Sequence, residues 1–196
     1  MHNTTKRILI IMAHPGTGSL TEAMAEAYRK GAQENGADVR YLALKALNFD
    51  LILNEGYRGK QPMEADLINA QQDILWAQHL VFVYPIWWGA MPSLLKGFID
   101  RTFLPGFSFK YRKNSVWWDK LLAGRSARLI TLMDTPPWYF RWVYRMPGHN
   151  QMKRTILEFC GIKPVKISSF GPVRSADDKK RESWLRDSYQ MGLTQA

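Results

Sequence analysis

Short, almost wholly apolar runs alternate along this chain with stretches whose apolar residues recur every three to four positions, and this rhythm limits the fold more than any other feature. Arg7 to Ala13 and Leu80 to Tyr84 are such runs, continuous in the manner of parallel strands buried on both faces. Val39 to Leu44, Ala127 to Leu132 and Val165 to Phe170 read as three more strands. Between them lie helical stripes at Leu20, Ala23, Met24, Ala27 and Tyr28, at Leu67, Ala70, Ile74 and Ala77, and at Leu94, Leu95, Phe98, Ile99 and Phe103. A further face, Met152, Ile156, Phe159 and Cys160, precedes the fifth strand. A last helix is expected from near Ser175, which with Asp178 forms a capping-box pattern, and packs through Trp184, Leu185, Ser188 and Tyr189. Strands separated by helices need right-handed crossovers, so the class is α/β with a doubly wound parallel sheet. Five strands in this length fit the order 2-1-3-4-5, with helices on both faces.

At 196 residues and 46% hydrophobic content, the chain has material for one core, and a single domain over 1–196 is expected. No apolar run approaches the length of a membrane span, and the N-terminus lacks the pattern of a secretory signal, so a cytoplasmic protein is expected. The lone Cys160 cannot form an internal disulfide, and no cysteine and histidine spacing suggests a metal. A net charge of +10 favours anionic partners: nucleotides, acidic lipids or nucleic acid. The basic residues are dispersed and carry no nucleic-acid-binding signature, so nucleic acid is not expected.

In a doubly wound sheet, ligands sit beyond the carboxyl ends of the strands, which directs attention to the loops after strands one, three and four. The first is His14-Pro-Gly-Thr-Gly-Ser-Leu-Thr21. Its glycines permit a tight turn, its hydroxyls can donate to phosphate oxygens, and the following helix opens with free amides. It lacks the Walker lysine and the third glycine of a dinucleotide fingerprint, so a terminal monophosphate suits it better than a pyrophosphate. The same hydroxyls also suit a plain helix cap. His14 serves either as a loop hydrogen-bonder or as a ligand contact or catalytic aid. The second loop, Pro85-Ile-Trp-Trp-Gly-Ala-Met-Pro92, sets two tryptophans beside the sheet's switch point, a flat wall for a fused ring system.

Several segments, in order, resemble the NAD(P)H quinone oxidoreductase family with a flavodoxin-like fold. They are Ile8 to Pro15 with Ser19, Pro85-Ile-Trp-Trp88, Pro92 to Arg101, Phe107-Ser-Phe-Lys-Tyr111 and Ile156 to Gly161. The resemblance spans about residues 7 to 170. It implies a flavin phosphate held by His14, Thr17, Ser19 and Leu20, and a flavin ring contacted by Pro85, Ile86, Trp87 and Trp88. It also implies a homodimer with active sites at the subunit boundary, FMN as cofactor with FAD as the alternative, and NAD(P)H as co-substrate. The expected activity is two-step: hydride passes from NAD(P)H to the flavin, and then two electrons pass to a quinone or similar small acceptor.

The chain departs from the family after strand four. There the family's Thr-Thr-Gly-Gly turn is replaced by Thr131-Leu-Met-Asp-Thr-Pro-Pro137 and an aromatic run, Trp138 to Tyr144. Asp134 and Thr135 are candidates for the flavin edge, while Pro136 and Pro137 lack amide donors. The aromatic run either roofs the pocket or seals a dimer interface. Tyr144 and His149 are the candidates, by neighbourhood, for the tyrosine and histidine that assist hydride transfer in the family. The altered loop leaves a second reading open, a flavodoxin-like regulatory or electron-transfer subunit without turnover.

Overall fold

The computed structural model describes residues 5–57 and 59–195. Its centre is a five-stranded sheet in the order β2 (Asp38–Ala43), β1 (Arg7–Met12), β3 (His79–Pro85), β6 (Ser126–Leu132) and β7 (Val165–Phe170). Every neighbouring pair is parallel. The predicted order of the five strands is therefore the observed one, with an additional antiparallel pair, β4 (Phe109–Tyr111) and β5 (Trp118–Lys120), inserted between β3 and β6.

Side-chain alternation divides the central strands between two cores. Ile8, Ile10 and Met12 face one way with Val81, Val83 and Ile130, and are covered by α1 (Leu20–Glu34) and α6 (Asp178–Leu193). Leu9, Ile11 and Ala13 face the other way with Leu80, Phe82 and Leu129, under α2 (Ala65–Trp76) and α3 (Ser93–Thr102). Strands apolar on both faces are what such double coverage requires, which is why their sequences read as unbroken runs.

Helices α1 and α6 touch through backbone. A Cβ on Gly31 would lie 2.1 Å from the Tyr189 carbonyl oxygen, and one on Gly192 would lie 2.1 Å from the Tyr28 carbonyl oxygen. On the opposite face, the Arg101 guanidinium is almost wholly buried, at 2% exposure. It donates to the Asp50 carbonyl (2.6 Å), the Pro62 carbonyl (3.0 Å) and the Glu64 carboxylate (2.7 Å), tying the long loop before α2 to α3.

Three local features differ from the sequence reading. Helix α6 is capped by Asp177, whose carboxylate accepts from the Lys180 amide at 2.8 Å, so the Ser175 and Asp178 box does not form. The aromatic run contains a short helix, α4 (Pro137–Trp142), that starts on a proline already fixed in helical φ. The Met152 and Ile156 face follows a short α5 (Pro147–Asn150) as a wide-turned segment, Gln151–Leu157. Around its end the Glu158 and Ile162 amides reach back five residues, to the Lys153 and Leu157 carbonyls. Among the described residues, no helix is long and apolar enough to cross a membrane.

Candidate functional site

Three loops meet at the carboxyl ends of β1, β3 and β6. After β1 the chain turns through Gly16 to Gly18, the latter at φ +66°, and enters α1 at Ser19. The Ser19 hydroxyl accepts from the Glu22 amide at 3.2 Å and so caps the helix. The Gly18 amide donates to the Glu22 carboxylate at 2.8 Å, and Lys45 pairs with the same carboxylate at 2.9 Å. The Lys45 hydrogen bond first, and the Gly18 amide second, hold Glu22 below the usual carboxylate range. The amides of Thr17, Ser19, Leu20 and Thr21 meet no acceptor among the described residues. Those of Ser19, Leu20 and Thr21 are the orphan donors of a helix start and carry its partial positive charge.

The second loop is a tight two-residue reversal. The Trp87 amide donates to the Ala90 carbonyl at 2.9 Å and the Ala90 amide returns to Trp87 at 3.0 Å. Both central residues, Trp88 (φ 50°) and Gly89 (φ 76°), lie in the left-handed region, as a mirror-image turn demands. Left-handed backbone disfavours a bulky side chain, so a tryptophan here is held at a cost, and its indole is fully exposed at 104%. The Ile86 amide anchors the loop by donating to the Leu132 carbonyl at 2.7 Å. The His14 imidazole meets the Trp87 ring edge-on at 5.8 Å and accepts from the Gly16 amide at 3.0 Å, joining the first two loops.

The third loop continues β6 through Met133 and Asp134. The Asp134 carboxylate accepts from the Arg174 amide at 2.8 Å and the Val173 amide donates to the Met133 carbonyl at 3.0 Å, so the segment after β7 is stitched to it. Beside these loops lie two adjacent spaces that share Ile86, Trp87 and Asp134 in their walls. One, about 190 Å³, lies between the start of α1 and the tryptophan turn. The other, about 1050 Å³, opens outward past Trp88, Thr135 and Tyr144.

The structure thus brings His14, Ser19, Leu20, Pro85, Ile86, Trp87 and Asp134 to the smaller space, and Trp88, Thr135 and Tyr144 to the larger. Thr17 sits in the exposed part of the first loop and lines neither. His149 also lines neither. It is buried at 2%, with Nε2 at 3.0 Å from the Thr131 hydroxyl and its ring edge-on to Phe140 at 5.0 Å. Burial pushes its pKa down to about 4, so it is neutral near pH 7, and its Nδ1 has no partner among the described residues. Val173 and Arg174, which also line these spaces, escaped the sequence reading. They follow β7, at the same sheet edge as the other loops, and that position was the available signal.

Donors converging at one end and aromatic surface at the other suit an elongated ligand with an anionic head and a flat body, which is the division of a flavin mononucleotide. The residues present fit such a group: the orphan amides of Ser19, Leu20 and Thr21 and the Ser19 hydroxyl for the phosphate, and Pro85 to Trp87 for the ring. Among the described residues, no cluster of metal-ligating side chains accompanies the site.

Comparison with known proteins points the same way. A family model described as a flavodoxin-like fold matches residues 6–190. A Haemophilus influenzae protein named as an uncharacterized NAD(P)H oxidoreductase is 30% identical over 181 residues, covering 90% of this chain and 89% of its own. The structure of an NAD(P)H:quinone oxidoreductase from Methanothermobacter marburgensis superposes with a TM-score of 0.81 at 24% identity, over 97% of each chain. An FMN-dependent NADH-azoreductase from Bacillus anthracis, solved in complex with FMN, gives 0.73 at 19% identity, over 98% of this chain and 100% of its own. At these identities the two structures speak to fold alone.

Proposed function

We propose, from the premise that this chain belongs to the family with the flavodoxin-like fold, that it is a flavin-dependent NAD(P)H oxidoreductase of the quinone reductase type. The observation that carries this reading is the opening of α1's unpaired amides onto the same space as the Trp87 turn. FMN is the assigned cofactor, with FAD the alternative. When bound, it supplies the two-electron chemistry, accepting hydride from NAD(P)H and passing the electrons to a quinone or related small acceptor.

The chain's own residues bind, orient and shield. The amides of Ser19, Leu20 and Thr21 and the Ser19 hydroxyl hold the phosphate, with Thr17 at the exposed edge of the loop and His14 closing it. Pro85, Ile86, Trp87 and Trp88 present the wall for the ring. Asp134 and Thr135 approach from the third loop, with backbone amides rather than ionised side chains as the natural donors to the ring's polar edge. Tyr144 is assigned to assist hydride transfer, a role supported by its position on the wall of the larger space. His149 is assigned a positioning role: neutral and bonded to Thr131, it holds the α4 to α5 segment against β6.

A homodimer is part of the same reading, supported by apolar side chains left in the open on the β4–β5 hairpin, Val116 at 85% and Trp117 at 67% exposure. Dependence on a nicotinamide reductant supports a cytoplasmic location. The test is the absorption spectrum of the purified protein, with mass measurement of the chromophore released on denaturation, followed by rapid mixing with NADH and NADPH. A yellow protein releasing FMN and bleached by either nucleotide is expected. A colourless protein that takes up neither FMN nor FAD at micromolar concentration overturns the reading.

A further inference from the structure

From Thr135 to Leu157 the chain carries four cations, Arg141, Arg145, Lys153 and Arg154, and no aspartate or glutamate. Within this basic stretch the structure exposes large apolar side chains. Trp138 and Trp142, four residues apart and so on one face of α4, are 63% and 72% exposed, and Val143 and Tyr144 extend the patch. The exposure is built in. Phe140, on the inner face, is buried against His149, which fixes the helix to the sheet and turns both indoles outward.

Of these cations Lys153 pairs with Glu158 at 3.9 Å, while the two arginines flanking the exposed side chains are left for other partners. Arg141 and Arg145 are exposed, and neither makes an ion pair among the described residues. The Arg141 guanidinium lies 5.3 Å from the Trp142 ring centre, so charge and indole form one unit. The Gly148 amide, just beyond the patch, donates to the Gly89 carbonyl at 2.9 Å, which joins the Trp88 turn to the same face.

Indoles beside guanidiniums match one environment well, the boundary of a bilayer, where an amphipathic ring sits at headgroup depth and a cation meets phosphate. We propose that this face docks the protein on an anionic lipid surface, with Trp138 and Trp142 entering the headgroup layer and Arg141 and Arg145 on lipid phosphates. A second copy of this chain fits the face less well. Two-fold pairing would bring two copies of the same basic patch together, and each chain already carries a charge of +10. Single-stranded nucleic acid would use the arginines and indoles but has no use for Val143. Tyr144 belongs both to the patch and to the wall of the 1050 Å³ space, so docking sets the mouth of that space beside the lipid. If the oxidoreductase reading holds, the acceptor drawn into it is an apolar one dissolved in the bilayer.

The test is flotation of the full chain with vesicles, which needs no turnover and so stands apart from the flavin assignment. Vesicles of three parts phosphatidylcholine to one part phosphatidylglycerol should carry the protein upward, and pure phosphatidylcholine should require at least tenfold more lipid. Removing both guanidiniums in Arg141→Gln/Arg145→Gln should weaken binding about thirtyfold, roughly fivefold for each charge. Trp138→Ser/Trp142→Ser should lose binding to both vesicle types while keeping the circular dichroism spectrum, thermal midpoint and oligomeric state. The proposal is overturned if anionic vesicles leave the protein at the bottom of the gradient, whether or not a single-stranded oligonucleotide retains it. It is equally overturned if both double variants float as the parent does, or if the tryptophan pair proves to hold two copies together.

Discussion

Ser19 stands at the junction of two demands. Its hydroxyl caps α1 by accepting from the Glu22 amide, and the hydroxyl hydrogen remains available to an anion at the same helix end. Ser19→Ala should therefore lower stability by about 1 kcal/mol through the lost cap. It should also weaken FMN binding by about tenfold, the effect of one charge-assisted hydrogen bond. Urea titration of the flavin-free protein and quenching of flavin fluorescence separate the two effects; unchanged flavin affinity would remove Ser19 from the phosphate site. Thr131→Val tests the neighbouring assignment. It strips the buried His149 Nε2 of its 3.0 Å partner, leaving the Ser169 hydroxyl at 3.4 Å, and should cost roughly 1–3 kcal/mol. Ser19 was legible because a hydroxyl before a helical stripe has few other uses. His149 could be named but not placed, since its burial depends on Phe140 and Thr131 closing over it from other elements.

Among elements, the strands were the most readable: burial on both faces makes β1 and β3 almost wholly apolar, while the half-buried edge strands β2 and β7 were set by their place between helical stripes. β7 matches its predicted limits, and β1, β2, β3 and β6 differ by one or two end residues. The β4–β5 hairpin was not read as strand, since three-residue partners stabilised by stacking, as in Trp118 on Phe159 at 4.4 Å, leave no periodic trace. Nor could sequence distinguish the wide-turned segment after α5 from an ordinary helix, because both place Met152 and Ile156 inward. The α1–α6 contact was equally hidden, as a glycine within a helix ordinarily signals only weakness. Here Gly31 and Gly192 are what let the two backbones meet, each taking the other helix's carbonyl where a side chain would be. Gly31→Ala should thus destabilise by about 3 kcal/mol, although alanine is the better helix former in isolation. A denaturant midpoint equal to or above that of the parent would mean that the helices part at little cost.

For the whole molecule, the pH dependence of stability follows from two buried histidines. His79 is 3% exposed, with Nδ1 at 2.8 Å from the Ser126 hydroxyl. Burial chiefly, and then Lys6, Arg128 and Lys166, lower its pKa from 6.5 to about 3. His149 is lowered from 6.5 to about 4 by burial alone. With folded values below unfolded ones, the unfolded chain binds more protons between pH 6.5 and the folded values, so stability falls as pH drops through that window. At pH 5 the unfolded state gains about 2 kcal/mol for each histidine relative to neutral pH, roughly 4 kcal/mol together. That is a large share of the 5–15 kcal/mol typical of a folded chain, so unfolding should set in well above the usual carboxylate range. Below it, the lowered carboxylates Glu22, Asp50 and Glu64 add to the loss as they protonate. Urea midpoints measured from pH 7.5 to 4.5 should decline steadily from about pH 6.5, and His79→Gln should flatten about half of that decline even if it lowers stability at pH 7.5. A profile level down to pH 5 in the parent protein would mean that these imidazoles are hydrated and titrate alike in the folded and unfolded states.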